Sequence, residues 1–371
     1  MASEQYSVAS TRYSVPSSKV CQLSIVTFTT ESKFYKSVIL SEVRREPNEV
    51  EGPLQGMDST DDNFFFPTRM ISSASRMQKT NRVSIWVAAL AALSLTASLY
   101  AQIRFQTVTQ EVIDTRLHGF AGTDFEREAR LKTMFAQSGC KSENLSEEIV
   151  KTKQPPNLVC VLRGNTDQVI VVGAHFDHVT AGDGVVDNWT GASLLPSLFD
   201  SVSREPRRHT YVFISFMGEE QRMLGSEYYV SHLSEVERSH IRAMINMDTL
   251  GLGTTEVWVS HSDERLVRVL DAVSQALKIP LRGMNVEKVG TTDSESFAHY
   301  KIPRITLHSL TQQTLPILHS SKDRLDKIRM GDYYESYRLI AAYLIALDTL
   351  FDAKPTPPAP DAGTTEPNPG P

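Results

Sequence analysis

Cysteine is scarce, with three residues in a chain of 371. That excludes a disulfide-dense scaffold. Cys21 lies in an N-terminal stretch set aside below, which leaves Cys140 and Cys160. These two either pair, in an oxidising compartment, or stand as free thiols. Strong charge of either sign is missing too. The formal net charge is −6 and the pI about 6.0, so no basic field calls for nucleic acid. Internal repeats are absent, and with them a solenoid reading. What remains is ordinary globular composition, 40% hydrophobic, in a chain long enough for one large domain or two small ones.

Residues 1–76 are rich in Ser, Thr and Val and show no sustained helical or strand period, so they read as a disordered or spurious extension. In residues 77–101, Lys79 and Arg82 precede the apolar stretch Val83–Ala101. A charged start, a short apolar centre and a small-residue exit describe a signal peptide; the alternative is a membrane anchor. The uninterrupted part, Ile85–Leu93, is short for a span of about 20 residues. This favours translation from Met77 and cleavage after Ala101, with a mature start at Gln102. The expected location is secreted or periplasmic, or else a single-pass membrane protein with an extracytoplasmic folded part. A membrane is a partner only if residues 83–101 are retained. Residues 354–371, rich in Pro, Gly and Thr, read as a disordered tail. The folded unit is therefore 102–353, the size of one domain.

Within that unit, Thr123 and Glu126 form a capping box. Phe125, Ala129, Met134 and Phe135 form a helical stripe that ends at Gly139. "NLVCVLRG" and "QVIVVGAH", separated by Gly164 and Asn165, read as a hairpin at an antiparallel edge. Helices then alternate with strands: helix Asn188–Arg204, strand Thr210–Gly218, helix Gln221–Leu233 and strand Ile241–Asp248. Helix Ser262–Lys278, strand Pro303–Ser309 and helix Asp332–Phe351 follow. Pro196 is expected to kink the first of these helices or end it early. Nearly continuous apolar strands alternating with helices predict an α/β three-layer sandwich. Its sheet is mostly parallel with antiparallel edge strands, and helices cover both faces.

Four of the apolar strands end in acid or histidine, or lead to a loop that holds one. The first ends at His175, followed by Asp177 and, twelve residues after the His, Asp187. The others lead to Glu219 and Glu220, to Asp248, and to the loop holding His319. Strand C-termini of an open α/β sheet converge on one crevice. Taken singly, an Asp after a strand is a turn former and a loop His is solvated. Taken together, these groups would repel one another unless a cation joined them. Asp187, Glu220 and Asp248 with two neutral imidazoles carry −3; one divalent ion leaves −1, two leave +1, and a hydroxide brings that to zero. Two ions about 3.5–4 Å apart that share a carboxylate and a hydroxide form a hydrolytic arrangement. Oxygen and imidazole ligands without Cys point to two Zn2+ per chain, with Mn2+ or Co2+ as alternatives.

At these residues the chain resembles metallopeptidase family 28, the di-zinc aminopeptidases, whose relatives include the glutaminyl cyclases. The motifs, in order, are "GAHFDH", "DNWTGAS", "FMGEEQRMLGS", "NMDTLG" and "HSSKDRLDKI", and the resemblance runs roughly from Thr115 to Leu350. It implies that His175 and Asp248 hold one zinc, Glu220 and His319 the other, and that Asp187 bridges them. It implies further that Asp177 orients the His175 ring, and that Glu219 is the general base for a metal-bridging water. A cis peptide after Asp187 is also expected. The chain departs from the family pattern at Leu318, where an aromatic residue commonly precedes the last His.

The implied activity is a metalloaminopeptidase acting on a peptide substrate with a free N-terminus. Two alternatives stand beside it: a glutaminyl-peptide cyclotransferase working at one zinc, and a non-catalytic peptidase-like ectodomain that binds partners. The complete ligand set favours the peptidase.

Overall fold

The computed structural model describes residues 19–30, 33–42, 101–286 and 290–350. The signal or anchor reading of residues 77–101, apart from Ala101, and the tail 354–371 lie outside the described residues. Strands β1 (Lys19–Thr30) and β2 (Lys33–Glu42) pair antiparallel, and β1 also pairs with β3 (Ala101–Thr107). No element is expected from the sequence in this part. The strands contain β-branched runs such as Ile25–Thr27, whose pairing partners are not visible in the local pattern.

After β3 come α1 (Gln110–Leu117), α2 (Asp124–Gln137), β4 (Leu145–Glu148), β5 (Asn157–Leu162) and β6 (Val169–His175). These are followed by α3 (Thr190–Ser203), β7 (Thr210–Phe216), α4 (Leu224–His232), α5 (Glu235–His240), β8 (Ile241–Met247) and β9 (Thr255–Val257). The chain continues through α6 (Glu264–Leu277), β10 (Leu281–Gly283), α7 (Ser294–Ala298), β11 (Arg304–His308) and α8 (Met330–Leu350). Strands β4 to β11 form an eight-stranded sheet in the order β10-β9-β11-β8-β6-β7-β5-β4. Pairings β11/β8, β8/β6, β6/β7 and β10/β9 are parallel, whereas β9/β11, β7/β5 and β5/β4 are antiparallel.

Helices cover both faces, as a mostly parallel sheet requires. Alternation along β6 shows how. Ile170, Val172 and Ala174 join one core with residues of α1, α2, α3, α6 and α8. Val171 points the other way, into a core with Tyr229 and Val230 of α4 and Phe297 of α7. The valine, isoleucine and phenylalanine side chains among these each contribute about 1.5–3 kcal/mol when fully buried.

Three expectations need correction. The hairpin of β5 and β6 does not form. Strand β7 lies between them, antiparallel to β5 (Leu158↔Ser215) and parallel to β6 (Val169↔Thr210). Gly164 and Asn165 look like a tight turn, but a strand buried on both faces pairs with whichever apolar strand completes its ladder. Strand β6 is thus central, and the antiparallel edge is β5 with β4. Secondly, Pro196 does not end α3, which runs on to Ser203 with twelve of its fourteen residues buried. Packing on all sides sustains that helix despite the lost donor. Thirdly, the capping box on α2 forms as expected, but Phe125 is 56% exposed. The buried stripe is Arg127, Leu131, Met134 and Phe135, and a charged residue stands at one of its core positions.

The cysteine alternatives also resolve. Cys140, just after α2, is disulfide-bonded to Cys160 of β5, and both are buried.

Candidate metal centre

From β6 the chain crosses by α3 to β7 on one side, then returns past β6 to β8 on the other. That reversal opens a crevice at the C-terminal end of β6. His175 is the last residue of β6 and is buried. Glu219 and Glu220 follow β7 in a single turn that starts at Gly218, whose φ of +82° suits glycine. Asp248 follows β8, and His319 stands in the long loop after β11 with φ +51°, a left-handed conformation rare outside glycine and frequent at functional sites.

Asp187 sits at the centre of the group. Its Oδ1 is 3.3 Å from His175 Nε2 and its Oδ2 is 3.2 Å from His319 Nε2. Asp248 Oδ1 is 3.7 Å from His175 Nε2, and Glu220 Oε2 is 3.1 Å from His319 Nε2. Glu219 Oε2 stands farther off, 4.0 Å from His175 Nε2. Ligand-type atoms of His175, Glu219 and Asp248 lie within 4.8 Å of one another, as do those of Asp187, Glu220 and His319. The structure therefore brings together every site residue expected from the sequence. The Asp187–Asn188 peptide is cis, as expected.

Asp177 differs in detail from its expected role. The His175 Nδ1 hydrogen bond runs to the Asp177 backbone carbonyl at 3.2 Å, while its carboxylate is 3.7 Å away. That carboxylate instead accepts the backbone N–H of Glu219 (3.1 Å) and of Glu220 (3.3 Å). Asp177 thus orients the ring and also ties the end of β6 to the turn after β7.

The electrostatics call for a cation. Burial pushes Glu219 well above the usual carboxylate range, reinforced by Asp248, Asp293 and Asp187. Burial, with Asp187, raises Glu220 to about 7. Burial would lower His175, but Glu219, Asp177, Asp187 and Asp248 together hold it well above its usual value. His319 is raised to about 9 by its hydrogen bond to Asp187, against a smaller cost of burial. Without a cation the imidazoles must take protons to neutralise the acids. Two buried atoms, His175 Nε2 and Glu220 Oε1, have no hydrogen-bond partner. Such orphans are rare and need a reason. Zinc fits both the donor types and these orphaned atoms.

Several residues that hold this centre are not singled out by sequence reasoning. Arg127 is fully buried and donates to the carbonyls of Ala121 (2.9 Å), Phe176 (3.2 Å), Gly184 (2.9 Å) and Asp183. It fixes the loop between His175 and Asp187. Asp323 accepts the backbone N–H of Val186 at 2.7 Å and of Asp187 at 3.1 Å. Thr292 donates to Asp248 Oδ2 at 2.7 Å and accepts from Asn246 at the same distance. Asp293 is fully buried, neither carboxylate oxygen has a hydrogen-bond partner, and burial raises it to about 7. Of these, Arg127 leaves a trace in the sequence, because it stands four before Leu131 and seven before Met134 on a capped helix.

A pocket opens beside the cluster, on the side of Glu219, Asp187 and Asp248. Its apolar wall is Trp258, Val286, Leu310 and Leu318. His308, also in the wall, accepts the Leu310 N–H at Nδ1 (3.0 Å) and donates from Nε2 to the Met284 carbonyl (3.2 Å), so its ring is neutral. Burial pushes it down to about 4.

A mostly parallel sheet with paired acid–imidazole groups at its switch point defines an α/β protein with a metal-ready crevice. More specifically, the chain belongs to peptidase family M28, whose sequence model matches residues 157–344. Aminopeptidase YwaD of Bacillus subtilis (strain 168) is 26% identical over 204 residues, which cover 53% of this chain and 44% of that protein. Leupeptin-inactivating enzyme 1 of Streptomyces exfoliatus is 29% identical over 143 residues, 38% of this chain and 32% of that protein. The chain thus spans less than half the length of these two relatives. The crystal structure of the Legionella pneumophila LapA aminopeptidase superposes with a TM-score of 0.56 at 22% identity, covering 74% of this chain and 78% of that one. That likeness shows the fold.

Proposed function

We propose that this protein is an exported zinc aminopeptidase that hydrolyses the N-terminal bond of a peptide. The observation that carries the reading is Asp187, which presents one carboxylate oxygen to each of two imidazoles on opposite sides of the crevice. His175 and Asp248 would hold one ion, Glu220 and His319 the other, with Asp187 shared. Two zinc ions, when bound, supply the positive charge that acidifies water, polarises the scissile carbonyl and offsets the oxyanion, since Leu318 has no donor to offer.

The remaining steps belong to side chains. Glu219 lines the pocket and stands farther from the imidazoles than the other acids, which suits a base over a ligand. It takes the proton of the attacking water and passes it to the leaving amine. The acids around the pocket mouth attract the substrate's α-ammonium, and the apolar wall receives the first side chain. A relative named as an aminopeptidase supports the activity. The cyclase alternative needs one ion; the pairing of each imidazole with its own acid and with the shared Asp187 favours the peptidase.

Export is supported by the Cys140–Cys160 disulfide, since such bonds persist in oxidising compartments. No helix among the described residues is long and apolar enough to cross a membrane. N-terminal sequencing of the native protein tests the export reading, with Gln102 as the expected first residue. Hydrolysis of a panel of aminoacyl amides tests the activity. Release of the N-terminal residue is expected, and cyclisation of N-terminal glutamine without amide hydrolysis would favour the cyclase.

A further inference from the structure

Asp323 connects two ligand-bearing loops that are far apart in sequence. Its carboxylate accepts the backbone N–H of Val186 and Asp187, 137 and 136 residues away. Its backbone carbonyl accepts the N–H of Asp183 at 2.7 Å, and its own N–H donates to Ser320, the residue after His319, at 3.0 Å. The side chain is buried. The two loops also touch through Gly182. A Cβ there would lie 2.4 Å from the Ser320 carbonyl and 2.9 Å from that of Asp323, and φ is +83°. Only glycine permits that approach.

We infer that Asp323 is a positioning residue that sets the gap between Asp187 and His319, and so the quality of one of the two metal positions. This inference rests on the zinc reading above. The two positions are not held alike. His175 is 1% exposed and anchored on β6, and its partner Asp248 is fixed by Thr249 and Thr292. The His319 side chain is 54% exposed, in the loop between β11 and α8 two residues after a 3-10 turn at Leu315–Ile317, yet its Nε2 lies 3.2 Å from Asp187 Oδ2. The hydrogen bonds through Asp323 join the two segments that must meet there. Removing one acceptor frees the His319 loop relative to Asp187, so the Glu220–His319 position loses most, while the His175–Asp248 position is affected only through the shared Asp187. Groups that orient metal ligands are typically worth about 10–100-fold in metal affinity.

The test uses the full chain and zinc itself as the probe. Competition with a graded chelator resolves the two zinc-binding steps in the wild type. Asp323→Asn keeps the shape, removes one carboxylate oxygen and sets an amide against backbone N–H. The expected result is a loss of about 10–100-fold in one step, with a clearly smaller loss in the other. Gly182→Ala attacks the same contact from the opposite loop and should weaken the same step; it decides the matter if Asp323→Asn fails to fold. A merely structural role would lower the melting temperature and weaken both steps equally, or neither, and either outcome overturns the inference. A wild type with no zinc-binding step fails differently, because it removes the zinc reading itself.

Discussion

The backbone N–H of Glu219 donates to Asp177 Oδ1 at 3.1 Å, so the end of β6 grips the turn that carries both acids after β7. With the adjacent N–H of Glu220 held by the other oxygen, the turn cannot rotate, and the two side chains diverge. Glu220 reaches His319 at 3.1 Å, and Glu219 faces the pocket. One mutation at each position should therefore give a different failure. Glu219→Gln is expected to keep its zinc and lose about two to four orders of magnitude in kcat, with KM little changed. Glu220→Gln is expected to lose one ion, with activity recovering in excess zinc. Metal analysis beside steady-state kinetics distinguishes them. A Glu219→Gln enzyme with normal turnover would remove it as the base.

Much of this centre is legible in the sequence because strands buried on both faces read as apolar runs, and their polar ends stand out against them. His175, Glu219, Glu220 and Asp248 are visible in that way, and Asp187 by its spacing of twelve from His175. The supports are not. Asp323 and Thr292 act by hydrogen bonds to partners distant in the chain, and nothing local distinguishes them from loop residues. Strand order was hidden for a similar reason. The link between β5 and β6 is turn-like, yet β7 arrives later in the chain and takes the place between them. On α2, a buried Arg127 displaced the apolar stripe because its partners are carbonyls supplied by another loop.

His308, in the pocket wall, gives a pH signature without being a ligand. Its ring is buried with both nitrogens engaged, and burial holds it near about 4 against an ordinary 6.5. Between those values the unfolded chain binds a proton that the folded chain does not. Stability is therefore lost as pH falls from about 6.5 towards 4, by on the order of 3 kcal/mol for full titration. Denaturant unfolding at pH 7 and pH 4.5 should show a smaller acid loss in His308→Asn than in the wild type. Equal losses would show that His308 is not responsible.

The disulfide joins residues 20 apart in sequence. Closing a loop of that size contributes about 3 kcal/mol by restricting the unfolded chain. The double variant Cys140→Ser, Cys160→Ser is expected to melt roughly 6–12 °C lower, given about 2–4 °C per kcal/mol for a domain of this size. Calorimetry under non-reducing conditions reads it. An unchanged melting point would mean that the bond does not form in the native protein.

The pocket wall predicts preference. Trp258, Val286, Leu310 and Leu318 favour a large apolar first side chain over a charged one. In Trp258→Ala, kcat/KM for a leucyl or phenylalanyl substrate should fall roughly 10–200-fold, with a smaller change for an alanyl substrate. A uniform fall across the panel would place the effect on the metal centre.

The account stands on a dinuclear centre bridged by Asp187, and titrating metal-free full-length protein with zinc while following hydrolysis of an aminoacyl amide tests it most directly. The expected result is binding that saturates at two zinc ions per chain, hydrolysis that rises with that loading, and loss of both in Asp187→Ala. Saturation at one ion, or full activity in Asp187→Ala, would contradict it.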